Sequence, residues 1–135
     1  ATVRDTLRVT GGGALIVSHT GFNGHCPSPR NISDETMAMI TESGGLIGVG
    51  FWSDVVCGTG INAIVSAIRY GVDRFGLEHI ALGSDWDGSV TTPIDAAQLP
   101  HLTQALLDAD FTEQQVAAVM GGNMARFLSE HLPPQ

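Results

Sequence analysis

Three short, unbroken apolar runs constrain this chain more than any other feature. Ala14-Leu15-Ile16-Val17-Ser18, Leu46-Ile47-Gly48-Val49-Gly50-Phe51 and His79-Ile80-Ala81-Leu82-Gly83-Ser84 are continuous rather than alternating. A run of this kind reads as a strand buried on both faces, and such strands belong to parallel sheets covered by helices. The segments between them carry the helical period, so the pattern predicts an α/β fold. Ser33-Asp34-Glu35 opens a helix carrying Met37, Met39 and Ile40, and Gly44-Gly45 ends it. Residues 61 to 75 place Ile61, Ile64, Val65 and Ile68 at helical intervals. Two further helical segments follow the third run, at 96 to 108 and from Thr112, whose hydroxyl can cap the helix. Gly121-Gly122 interrupts the last pattern, 123 to 130 resumes it, and Pro133-Pro134 reads as a natural close.

The chain opens differently. Thr2 to Val9 reads as a helix with no strand before it, so the 135 residues begin in the middle of a repeat. They read as a single segment, 1 to 135, with no linker and no second domain. That length falls well short of the roughly 250 residues of a complete eightfold barrel. No apolar run reaches the roughly 20 residues of a membrane span, and the expectation is a soluble chain, cytoplasmic rather than periplasmic or secreted. All six cations are arginines against 14 acidic residues, so a nucleic-acid-binding basic face is excluded, as is any lysine-dependent chemistry. Cys26 and Cys57 lack the spacing of a zinc or redox motif. A bridge between them and a pair of reduced buried thiols both stay open, the reduced pair being the expectation.

Chemistry concentrates where two of the runs end. The first leads into Ser18-His19-Thr20-Gly21-Phe22 and a loop ending at Arg30-Asn31; the third leads into Asp85-Trp86-Asp87-Gly88. Loops at the carboxyl ends of parallel strands are where α/β folds keep their sites. His19 can reach a metal or a substrate from that position, or can simply bond the loop backbone. Arg30 can clamp a carboxylate bidentately, or can pair locally with Asp34. On an extended segment Asp85 and Asp87 would point opposite ways, one towards the site and one onto the turn amides. An EF-hand reading of D-x-D-G lacks its later ligands, and a haloacid-dehalogenase-type phosphotransferase reading lacks its lysine. His79, His101 and His131 read as packing or surface residues, whereas His25 stands close enough in sequence to Arg30 to reach the mouth of a site.

The run I-V-S-H-T-G-F, then C-P-S-P-R-N-I-S-D-E, G-V-G-F-W, I-A-L-G-S-D-W-D-G and F-T-E-Q-Q-V-A-A-V-M-G-G-N-M-A-R-F-L resembles the membrane (renal) dipeptidase family, the zinc-dependent M19 peptidases, over nearly the whole chain. The resemblance implies the C-terminal part, about three strands with their helices, of a (β/α)8 TIM-type metal-dependent hydrolase barrel. It implies dipeptide substrates with a free C-terminal carboxylate and a site with two zinc ions. By motif, His19 matches a zinc ligand, Arg30 the arginine that binds the substrate carboxylate, and Asp85 the aspartate that handles the proton passed to the leaving amine. Cys26 and Cys57 fall near positions that secreted animal members bridge. The family's H-x-D pair, its bridging Glu and its other zinc His have no counterpart here, leaving one protein ligand where a catalytic zinc needs about three. The expected protein is therefore a dipeptidase complete only with a missing N-terminal half, and inactive alone. The alternative is a non-catalytic truncated domain that forms homo-oligomers through its open sheet edges.

Overall fold

The computed structural model describes residues 2 to 133, so the expected close at Pro133-Pro134 lies partly outside the described residues. The chain runs α1 (Thr2–Val9), β1 (Ile16–Thr20), α2 (Asp34–Glu42), β2 (Leu46–Val49), α3 (Ser53–Val56), α4 (Ile61–Phe75), β3 (Ile80–Leu82), α5 (Leu99–Asp108), α6 (Glu113–Ala117) and α7 (Asn123–His131). Its three strands form one parallel sheet in the order β1-β2-β3, each step crossing through helix. This is the α/β pattern the sequence predicts.

The local signals act where expected. The Ser33 hydroxyl caps α2 by accepting the Thr36 N–H, and Thr112 caps α6 in a reciprocal box with Gln115. The Gly121-Gly122 interruption becomes a widened, kinked turn joining α6 to α7. Beyond it, buried Asn123 donates its amide to the carbonyls of Leu77 and Ile80, at 2.7 and 2.8 Å, tying the last helix to the entry of β3. Ile47, Val49 and Ile80 of the sheet pack with Met37, Ile40, Ile64, Ile68, Leu102 and Leu106 of the helices in the main core. Leu46 and Ala81, the alternate residues, face Phe127 of α7 in a smaller cluster.

Two expectations need correction. The first strand lies two residues later than its apolar run and is not buried on both faces: Ile16, Ser18 and His19 are exposed. It is an edge strand with one neighbour in the sheet, and among the described residues only Thr20 of it is buried. The third strand is only three residues long, because His79 ends a 3-10 turn and bonds the Gly45 carbonyl at 2.8 Å. One element, α3, has too short an apolar stretch to show a period.

The sheet is sharply curled. A Cβ on Gly48 or Gly83 would fall inside contact distance of the Ser18 carbonyl, so β1 leans over β2 onto the end of β3. That approach brings the loop after β1 beside the loop after β3.

Candidate functional site

At the carboxyl end of β1 the His19 imidazole turns its Nε2 towards Asp85, 3.6 Å from Oδ1. This is too long for a hydrogen bond and close enough for an ion pair or for both groups to face one bound ion. Its other nitrogen, Nδ1, lies 2.9 Å from the Ser18 hydroxyl. With Nδ1–H donating to Ser18, the Nε2 lone pair is free, and it faces the site.

Asp85 follows β3 with φ 62°, in the left-handed region that a non-glycine residue rarely adopts. The segment is therefore a turn and not the extended run assumed from the spacing. The two carboxylates nevertheless separate: Asp85 faces His19, while Asp87 accepts the Ser89 N–H at 3.4 Å. Trp86, between them, donates its indole N–H to the Ile94 carbonyl at 2.9 Å and sits edge-on to Phe51.

Arg30 does not pair with Asp34. Its guanidinium carbon lies 5.6 Å from the centre of the Trp52 ring, within cation–π reach, and the His19 ring lies 6.1 Å from the same indole. Trp52 therefore links two of the three sequence-predicted residues. In the sequence it stands out only as the last residue of the G-V-G-F-W segment, directly after the apolar run ending at Phe51, with no role attached. The loop that carries Arg30 is held on both sides. Asn31 donates its amide to the carbonyls of Cys26 (2.8 Å) and Val55 (3.0 Å), and Thr20 closes a longer contact to the Arg30 carbonyl. Cys26 and Cys57 are joined in a disulfide, their Cα atoms 5.5 Å apart, which corrects the expectation of reduced thiols. Folding α3 back beside the loop brings the two cysteines together, a step invisible in a sequence separation of 31.

Closing a loop of that length removes about 3.5 kcal/mol of unfolded-state entropy. Reduction, or Cys26→Ser with Cys57→Ser, should lower the melting temperature by about 10 °C. Calorimetry with and without reductant checks this.

His25 is not at the mouth of the site. Its ring lies 5.5 Å from Tyr70 of α4, on the helical layer, where burial pushes its pKa down. Beside it, Asp34 accepts the Tyr70 hydroxyl and the Gly24 N–H (3.1 Å), with Arg74 3.7 Å away. The hydrogen bond to Asp34, then burial and the Asp34 charge, raise the Tyr70 pKa, with Arg74 opposing. A raised pKa favours the protonated phenol in the folded state. Its stabilisation is complete below the unfolded value of about 10 and is lost as pH rises through the folded value. Thermal melts should therefore fall above about pH 10, and Tyr70→Phe should flatten that decline. Of the other histidines, His131 stacks on Phe127 and His101 is exposed on α5.

The zinc implied by resemblance can be tested against these donors. Nε2 of His19 and the Asp85 carboxylate converge, but among the described residues no group of three His, Cys, Asp or Glu side chains could hold a metal. The donor set does not make a zinc site by itself.

A parallel α/β sheet with histidine, arginine and aspartate gathered at its strand ends defines the class: a fold whose chemistry sits outside the carboxyl ends of its strands. Comparison with known proteins supplies the family. The model of the membrane dipeptidases, peptidase family M19, matches residues 1–132, and the chain belongs to that family of metallopeptidases. Dipeptidase ataJ of Aspergillus terreus is 30% identical over 138 residues, a match covering 96% of this chain and 33% of that protein. An uncharacterized protein in the pqqA 5′ region of Klebsiella pneumoniae is 32% identical over 124 residues, covering 84% of this chain and 45% of that one. Among solved structures, dipeptidase AC, a metallopeptidase of family M19, superposes with a TM-score of 0.86 at 27% identity, over 94% of this chain and 40% of its own. A Rhodobacter sphaeroides metallopeptidase liganded with a phosphinate mimic of the dipeptide L-Ala-D-Ala gives 0.85, also at 27% identity, over 94% and 38%. The chain thus spans between a third and a half of the length of the curated relatives named here.

Proposed function

We propose that this chain supplies the His19, Arg30 and Asp85 side of a dipeptidase site, built on three strands of a (β/α)8 barrel whose other strands come from outside it. The observation that carries the proposal is the convergence at the strand ends. His19 and Asp85 approach to 3.6 Å, and Arg30 shares Trp52 with His19. Arg30 presents two parallel N–H donors to the free carboxylate of a dipeptide, fixing which end of the substrate enters. Asp85 stands where a proton can pass to the departing amine, and its turn conformation holds the carboxyl in place before substrate arrives. Zinc, when bound, supplies an activated water in such enzymes. His19 Nε2 offers it one ligand, and the remaining ligands must come from beyond the described residues. The disulfide weighs towards an oxidising compartment, against the cytoplasm expected from the sequence. No helix among the described residues is long and apolar enough to cross a membrane.

The test is to purify the chain and assay dipeptide hydrolysis with and without a polypeptide supplying the remaining strands. Activity only in the assembled pair is expected. A properly assembled pair that hydrolyses no dipeptide would overturn the proposal.

A second reading, a non-catalytic domain that self-associates, is favoured by one feature: β1 exposes an unpaired edge with Ile16 at 40% exposure. It predicts a concentration-dependent dimer of the lone chain in sedimentation, abolished by Ile16→Lys; a monomer at all concentrations would end it.

A further inference from the structure

Trp52 is assigned no role by the motifs, yet it is the side chain that Arg30 and His19 have in common. It is 4% exposed, far more buried than either of them. Its backbone carbonyl accepts the N–H groups of Val55 and Val56, which fixes the residue at the start of α3. Its indole ring lies against Gly50, where a Cβ would run into ring atoms Cζ3 and Cη2, so the end of β2 is shaped to seat it. The Val55 carbonyl in the same turn accepts the Asn31 amide, so the segment that fixes Trp52 also fixes the residue next to Arg30. A buried ring beside an exposed, flexible type of side chain such as arginine restricts it, because the π face attracts the cation and disfavours its other rotamers.

We propose that Trp52 is a positioning residue for substrate recognition: seated on Gly50, its indole holds the Arg30 guanidinium where the dipeptide carboxylate must dock. The proposal rests on the reading of Arg30 as the carboxylate-binding residue. It makes Trp52 a determinant of selectivity for substrates with a free carboxyl end, without direct contact to them. A ring of smaller π face should hold Arg30 less well, and an aliphatic side chain hardly at all.

The experiment compares kcat/KM of the assembled protein for a dipeptide and for the same dipeptide with an amidated carboxyl end. Trp52→Leu should lower the preference for the free carboxylate about tenfold, and Trp52→Phe about threefold. Arg30→Ala should abolish the preference, and adding Trp52→Leu to it should change the preference no further, since the two residues act as one unit. Equal losses on both substrates in Trp52→Leu, with the preference intact, would show Trp52 to be only a packing residue and overturn the proposal alone. A preference that survives Arg30→Ala would overturn the carboxylate reading and this proposal together. Should Trp52→Leu not fold, Trp52→Phe carries the test, and an unchanged preference in that variant overturns the proposal.

Discussion

Arg30→Ala is expected to lower kcat/KM of the assembled enzyme for dipeptides by about 30- to 1,000-fold, equivalent to roughly 2 to 4 kcal/mol. The magnitude follows from the type of contact. On the proposed reading, a guanidinium and the substrate carboxylate would form two parallel charge-assisted hydrogen bonds, and removing the cation would leave that carboxylate unpaired. Arg30→Lys should recover little, because an ammonium ion offers no planar fork and a weaker contact to the Trp52 face. The fold should be unaffected: the Arg30 side chain is exposed, and the loop is held by the Asn31 amide and the disulfide rather than by the guanidinium. Steady-state kinetics beside a thermal melt checks both statements. Unchanged kcat/KM would reduce Arg30 to an ordinary loop residue.

Periodicity and punctuation made much of the fold legible. The helix boundaries at Ser33, at 61 to 75 and at Thr112 follow from local caps and spacing, and the structure places them there. Local sequence was insufficient where neighbours decide. The run Ala14 to Ser18 is apolar like the run at Leu46, yet only the second gives a strand that is buried throughout, so the exposure of Ile16 could not be read from its own segment. The same limit applied to the site. His19, Arg30 and Asp85 stand out as reactive side chains at strand ends, but a tryptophan after an apolar run resembles core, which Trp52 also is. Its relation to Arg30 depends on the fold of α3 and on the curl of the sheet at Gly48 and Gly83, neither of which has a sequence period. Asp34 is the converse case. Four residues from Arg30, it looked like its natural partner, but the capped start of α2 aims its carboxylate at Tyr70 and Arg74 of α4 instead.

The second large effect is expected at Asp85. Asp85→Asn should lower kcat of the assembled enzyme by about a hundredfold or more while KM for dipeptides stays within about threefold. Asparagine is the substitution that isolates the proton. It has nearly the same shape, and it is among the few residues that accept a φ of 62°, so the turn after β3 should survive and the carboxyl group alone is lost. What the amide cannot do is deliver a proton to nitrogen as the peptide bond breaks, so the cost falls on the step in which the amine departs. It follows that the deficit should shrink for substrates whose leaving amine is less basic and needs less help. A deficit independent of leaving-group basicity would mean that Asp85 acts through His19, 3.6 Å away, by holding its imidazole. In that case Asp85→Asn would have to mimic His19→Ala. Asp85→Ala adds a further and separable cost, because alanine is less tolerant of the left-handed backbone at φ 62° than Asp or Asn. Its melting temperature should fall below that of Asp85→Asn, whereas the kcat of the two variants should be alike.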